Sequence, residues 1–177
     1  CLTIDSFVVV LNDIRPEISS MVENQITCRT TEALVSFSSS IIGTLFEVFS
    51  GAVKIDEGSN VSISDPGMYV VYGLAPNNCR DTTFFSISAD TLSPDINVSL
   101  PDTITCLMDE VVLLANSSVS NPIFEWNGTL GNPFSATAGG IYRIVVTDSF
   151  NGCQTVDSVI VAENKVFAEY SIQSSEI

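Results

Sequence analysis

The sequence predicts an all-β protein made of tandem β-sandwich repeats, each carrying one disulfide. Three observations predict it. The chain has 177 residues, 45% hydrophobic and 15% charged, which supplies enough apolar material for packed cores. Short runs of period-two alternation, bounded by Gly, Pro, Asn, Asp and Ser, recur along it, and no helical-period stretch of ten residues occurs. The five cysteines fall into two columns of an internal repeat of about 75 residues.

The columns are read directly from the spacings. Cys1, Cys79 and Cys153 are separated by 78 and 74 residues. Cys28 and Cys106 are also 78 apart, and each lies 27 residues beyond a member of the first column. Flanking residues follow the same frame: Phe7, Phe85 and Val159 coincide, Pro16 matches Pro94, and Phe46-Glu47 falls on Phe124-Glu125. A short deletion then brings Gly67 and Tyr69 onto Gly140 and Tyr142. The frame predicts four segments: 1–16, the last strand of a preceding repeat; 17–93, repeat A; 94–168, repeat B; and 169–177, the first strand of a following repeat. The chain is thus expected to be a window on a longer array. Cys1 as the lipidated first residue of a lipoprotein is the competing reading, and the column match favours an orphaned disulfide partner.

Within each repeat the strands are placed by alternation. They run through Ala33, Val35 and Phe37, then Phe46 and Val48, Val61 and Ile63, and Tyr69 and Val71. The second copy offers Val111, Leu113 and Ala115, then Phe124 and Trp126, and Tyr142, Ile144 and Val146. Each column-one cysteine opens a further strand. Regularly spaced short strands with turn signals between them read as a sandwich. Phe37, Phe46, Val48, Tyr69, Val71 and Phe85 are the expected core of A. Leu113, Phe124, Trp126, Tyr142, Ile144 and Val159 are the expected core of B. The same frame pairs Cys28 with Cys79 and Cys106 with Cys153, leaving Cys1 unpaired. Each bond would close a loop of about 50 residues, worth roughly 4 kcal/mol in the chain-entropy model, and would place the protein outside the cytoplasm.

Around Gly140, Tyr142, the Ile144 to Asp148 run and Gly152-Cys153, a family resemblance emerges. The order of Cys, an aromatic strand with Trp126, G-x-Y and a terminal G-C resembles the immunoglobulin-like and PKD-like repeats of very long Bacteroidota surface adhesins, gliding-motility adhesins among them. The match covers about residues 94–164. Repeat A departs from it, with Val48 in place of the Trp and Asn78 in place of the Gly before Cys79. The resemblance implies tandem immunoglobulin-like sandwiches, secretion, surface attachment, and a stalk or adhesive role without catalytic residues.

Composition narrows the chemistry. The chain has no histidine, so Ser–His–Asp and Cys–His nucleophile systems and histidine-ligated metals are excluded. A net charge of −15 argues against a nucleic-acid partner, and no apolar run approaches a membrane span. The adjacent acids Asp56-Glu57 and Asp109-Glu110 point to opposite faces of a strand, so neither forms a carboxylate pair. Without a C-x-x-C pair or a D-x-D-x-D-G loop, no metal or cofactor is expected; Asp90 and Asp95 are the residues that would hold calcium if any does.

The expected function is a non-enzymatic stalk segment of a long extracellular repeat protein, spanning distance and transmitting force for adhesion. The alternatives are a module that binds a glycan or protein, and an accessory domain of a secreted enzyme. Expected partners are neighbouring repeats and other copies in a bundled fibre. Val70, Tyr72 and Phe84 are the lateral-contact candidates: they face outward beside one another in A, where B has Arg143, Val145 and Ser158.

Overall fold

The structure, a computed structural model, describes residues 2–166. All regular elements among them are strands, and the chain divides into two compact units, residues 1–90 and 91–177.

The first unit contains β1 (Ile18–Val22), β2 (Ile26–Thr27), β3 (Ala33–Ser39), β4 (Leu45–Ser50), β5 (Val53–Glu57), β6 (Asn60–Ile63), β7 (Gly67–Leu74), β8 (Arg80–Ile87) and β9 (Ala89–Asp90). One sheet has the order β1-β3-β6 and the other β5-β4-β7-β8, while β2 runs parallel to β9. The first strand thus lies beside the third on one sheet, and a hairpin-linked pair closes the other. That is the immunoglobulin-type arrangement of a Greek-key sandwich. Alternation explains why these segments are strands: Ala33, Val35 and Phe37 are buried on β3 while Leu34 is exposed, and Tyr69, Val71 and Phe85 face them from β7 and β8. All six residues expected in the core of this unit are buried. Phe37 contacts Phe46 and Phe85 at ring-centroid distances of 5.8 and 5.4 Å.

The second unit contains β10 (Asn97–Val98), β11 (Ile104–Thr105), β12 (Val111–Leu113), β13 (Ala115–Asn116), β14 (Pro122–Trp126), β15 (Thr129–Leu130), β16 (Phe134–Ala136), β17 (Gly140–Asp148), β18 (Gln154–Val161) and β19 (Glu163–Asn164). Its main sheet has the order β15-β14-β17-β18. Around it lie the pairs β10-β13 and β12-β16, with β11 parallel to β19. Trp126, Leu113 and Ile144 are fully buried, whereas Phe124, Tyr142 and Val159 are half-buried and packed against that core. The facing strands β12 and β16 have only three residues each, so they leave the ends of the larger sheet partly open. Trp126 stacks on Phe134 at 6.2 Å. Its Nε1 is buried with no hydrogen-bond partner among the described residues.

One device recurs in both units. The Tyr69 hydroxyl donates to the Asp65 carbonyl at 2.7 Å, and the Tyr142 hydroxyl donates to the Ala138 carbonyl at 2.8 Å. Each bond runs four residues back across the turn that feeds the strand, as in a tyrosine corner. The glycine two residues before each tyrosine has φ of +155° (Gly67) or +151° (Gly140), which a side chain would strain. Burial, with a smaller contribution from Asp65, raises the Tyr69 pKa and keeps its hydroxyl a donor.

Two expectations about the ends are revised. Residues 2–16 form no strand, and Phe7 and Val9 are exposed. In each unit the equivalent strand is held by the long hairpin partner before it (β7 for β8, β17 for β18), and a strand without that ladder has its backbone groups unpaired. The strand expected over 169–177 lies outside the described residues.

Two outcomes test this packing. Tyr142→Phe should destabilise the protein by about 1 kcal/mol in urea unfolding, the worth of one hydrogen bond. Trp126→Ala should cost about 3–5 kcal/mol through the cavity it opens. Trp126→Phe should cost under about 2 kcal/mol, because it also removes the unpaired Nε1.

Candidate functional site

The residues with functional potential lie at the two ends of each unit and on one outer sheet face. At the entry end, the turn before β8 reads Asn77-Asn78-Cys79 and the turn before β18 reads Asn151-Gly152-Cys153. The two are built alike. Asn77 Nδ2 donates to the Ile14 carbonyl at 2.8 Å, and its Oδ1 accepts from the Cys79 N–H at 3.1 Å. Asn151 Nδ2 donates to the Leu92 carbonyl at 2.9 Å, and its Oδ1 accepts from the Cys153 N–H at 2.8 Å. The incoming segment is pinned in both cases, with Pro16 and Pro94 buried just beyond. The Thr155 hydroxyl adds a bond to the Pro94 carbonyl. Asn78 (φ +63°) replaces Gly152 (φ +75°) without changing the turn, since Asn is the non-glycine residue best suited to left-handed backbone. The departure of repeat A from the G-C pattern is therefore conformationally silent.

At the exit end the second-column cysteines also sit in matching turns. Thr27 Oγ1 accepts from the N–H groups of Arg29 and Thr30, and the Thr27 N–H donates to the Thr30 carbonyl. Thr105 makes the same three bonds with Leu107 and Met108. Cys28 and Cys106 occupy the exposed second position of these turns.

The disulfides differ from the expected pairs. Cys28 and Cys153 are disulfide-bonded, whereas Cys79 and Cys106 are free thiols. Neither Cys28–Cys79 nor Cys106–Cys153 forms. The reason is distance within each unit. Cys79 begins β8, which with β9 runs extended to Asp90, and Asp90 pairs with Thr27 beside Cys28. Eleven extended residues cover roughly 30 Å, but a disulfide needs Cα atoms within about 7 Å. In the second unit β18 and β19 separate Cys153 from Cys106 in the same way. Cys1 lies outside the described residues.

The outer face of β4, β7 and β8 carries the lateral-contact candidates. Register places Val70 between Phe49 and Phe84. Tyr72 and Phe84 are 41% and 68% exposed, and Tyr72 meets Phe49 edge-on at 5.2 Å. Val70, expected to be open, is only 8% exposed; it points outward and its flanking aromatic residues shield it. Beside this patch an open groove of about 1010 Å³ is lined by Leu45, Glu47, Phe49, Glu57, Tyr72 and Arg80 among others. Lys54 Nζ bridges Glu47 at 2.7 Å and Glu57 at 2.6 Å. These bonds raise the Lys54 pKa, and the Lys54 ammonium lowers that of Glu57.

The calcium candidates do not assemble a site. Among the described residues no three acidic or thiol side chains gather closely enough to hold a metal. Asp95 Oδ1 instead accepts the Ser118 N–H at 2.6 Å and the Ser118 and Ser117 hydroxyls at 2.8 and 3.0 Å. These bonds, the Ser118 N–H first, lower its pKa. Asp90 lies on β9 and pairs in register with Thr27.

No family model matches the chain, and no curated protein does. Among solved structures it is similar to the first two immunoglobulin domains of DIP-gamma, at 12% identity over 88% of this chain and 100% of that one, with a TM-score of 0.42. It is also similar to immunoglobulin domains 1–5 of Sidekick-1 (10% identity, 87% and 40% covered, TM-score 0.43) and to murine CEACAM1b (13%, 84% and 100%, TM-score 0.37). The immunoglobulin-type fold rests on the strand order given above.

Asp95 generates a pH prediction. A carboxylate whose pKa is lowered by folding stabilises fully above its unfolded value of about 4 and loses that contribution as pH falls through the folded value. Asp95→Asn should therefore flatten the acid side of the stability–pH curve of the second unit, measured by thermal unfolding between about pH 5 and pH 2, and leave the neutral side parallel.

Proposed function

We propose that the segment is a non-enzymatic structural part of a long extracellular protein, spanning distance and transmitting force for cell-surface adhesion. The observation that carries this reading is the repeated joint. In each unit an asparagine side chain and a buried proline fix the incoming chain against the turn before the last strand. Such pinning limits bending at each entry, as a force-bearing array requires. The acidic surface, the disulfide and the resemblance to Bacteroidota adhesin repeats agree with secretion and an oxidising location. Repeats A (17–93) and B (94–168) are the units of this array, with neighbouring repeats and other copies as partners.

The second reading, a module that binds a glycan or protein, is favoured by the groove beside Tyr72 and Phe84. The two are separated in the parent protein. Replacing residues 17–168 by an unrelated pair of sandwiches of equal length should preserve adhesion if the segment is a spacer. Loss of adhesion in that swap, reproduced by Tyr72→Ser with Phe84→Ser in the native segment, would establish the binding module instead.

Lateral assembly is the third consequence. Tyr72 and Phe84, flanking the shielded Val70, form the apolar contact between copies, and burying this exposed aromatic pair would contribute several kcal/mol, on the order of 25 cal/mol per Å², before association costs. The Tyr72→Ser, Phe84→Ser double variant should lower the mass measured by light scattering. Unchanged assembly would leave the patch as internal packing.

A further inference from the structure

We propose that the free edge of β18 pairs with β18 of a second copy of this chain, antiparallel and centred on Ser158, so that two four-stranded sheets become one. The observations all lie within the second unit and hold whether or not the segment serves as a stalk.

β18 is the outermost strand of the sheet β15-β14-β17-β18 and carries its ladder on one side. Which of its peptide groups are free follows from the alternation of an antiparallel ladder. The Arg143 carbonyl accepts from the Asn127 N–H at 2.9 Å, and the Arg143 N–H donates to Asn127 Oδ1 at 2.8 Å. Arg143 therefore directs both groups toward β14. Ile144 and Val146 direct theirs toward β18, where they meet Asp157 and Thr155. Val156, Ser158 and Ile160 are left with their peptide groups on the open edge. Two bonds agree with this phase. The Ser158 N–H donates to Asp157 Oδ1 of its own strand at 2.7 Å, and farther along the Ala162 carbonyl accepts from the Ile104 N–H at 2.9 Å.

An open edge is a template for another strand. Self-pairing requires that opposed residues both carry edge-facing groups, and a centre at Ser158 meets that requirement. Ser158 lies opposite Ser158 of the second copy, and Val156 lies opposite Ile160 of the second copy. The side chains match as well. Ile160, its register partner Ile141, and Val156 are 71%, 69% and 51% exposed on the outer face, and Val145 is the register partner of Val156. In the pair, Ile141 and Ile160 of one copy continue into Val156 and Val145 of the other, giving one apolar row on either side of the serines. On the inner face Asp157 falls opposite Val159 of the second copy. The two Asp157 carboxylates are then diagonal neighbours, roughly 7–8 Å apart, near the Debye length of physiological salt. Neighbouring registers are worse. A centre at Asp157 opposes the two carboxylates directly, and a centre at Val159 sets Val156 against Ala162, whose carbonyl Ile104 already engages.

Asp157 tunes the edge. Its carboxylate occupies the Ser158 N–H that the second copy's carbonyl takes. The residue is exposed, so pairing returns the carboxylate to water and exchanges one hydrogen bond for another. Thr83 holds the corresponding place on β8. A pairing limited to residues 156–160 buries less than the roughly 1,200 Å² of a standard stable interface, so the dimer is weak and reversible.

The test is sedimentation equilibrium of the 177-residue chain, with hydrogen exchange resolved by residue. Tyr72→Ser and Phe84→Ser are included to remove the aromatic contact of the first unit; should that double variant unfold, the unsubstituted chain serves, because exchange identifies the strand. A reversible dimer is expected below about 1 mM, strengthened by salt, with the amides of Val156, Ser158 and Ile160 exchanging more slowly as concentration rises. Ile160→Lys and Val156→Lys, both at exposed positions, should each raise the dissociation constant by about tenfold or more and leave the unfolding temperature unchanged. Asp157→Thr should lower the dissociation constant several-fold. A mass that stays monomeric up to about 1 mM, a dimer indifferent to both lysine variants, or protection confined to other strands would overturn the proposal.

Discussion

The last strand of each sandwich is the constraint on which the rest depends. It is eight residues long in both units (Arg80–Ile87 and Gln154–Val161), and it must cross the whole domain because its hairpin partner does. That length fixes which residues share an end. The turn before it collects a cysteine, an asparagine and the incoming chain. The short parallel pair after it (β2 with β9, β11 with β19) collects the other cysteine. A cysteine pair joined across this strand would need the domain to collapse along its own axis. The sandwich is instead held by its aromatic core and its tyrosine corner.

The two units solve the same topology with different interiors. The first fills its core with Phe37, Phe46, Tyr69 and Phe85 around small β-branched residues, and Val48 lies at the centre of β4. The second puts Trp126 at the position of Val48 and needs fewer aromatics, at the expense of an indole N–H with no partner among the described residues. Outer faces diverge as well. The first unit exposes Tyr72 and Phe84 where the second has Val145 and Ser158, so an interaction on this face belongs to one unit and not to the scaffold common to both.

Much of this was legible in the sequence, for physical reasons that differ by element. Alternation located the core of the first unit completely, because a strand with one buried face repeats every two residues. In the second unit it located Leu113, Trp126 and Ile144, but Phe124, Tyr142 and Val159 are half-buried because the covering strands are short. Cysteine spacing revealed the columns but not the pairing. Spacing along the chain carries no information on which end of a sandwich a residue reaches, and only the strand direction supplies it. The braces were written in plain view: Asn two residues before Cys79 and Cys153, and Ile-Thr before Cys28 and Cys106. Their role emerges only when the carbonyls of Ile14 and Leu92 are seen to meet them. The acids at Asp90 and Asp95 looked alike in sequence; the serines that engage Asp95 are more than twenty residues away along the chain.

The central claim is that neither sandwich is closed by a disulfide of its own, because the last strand holds the two cysteine positions of each unit at opposite ends. A disulfide map of the protein, alkylated before digestion without reduction and read by mass spectrometry, measures it most directly. The account predicts alkylated Cys79 and Cys106 and no Cys28–Cys79 or Cys106–Cys153 peptide. Either of those two peptides would contradict it.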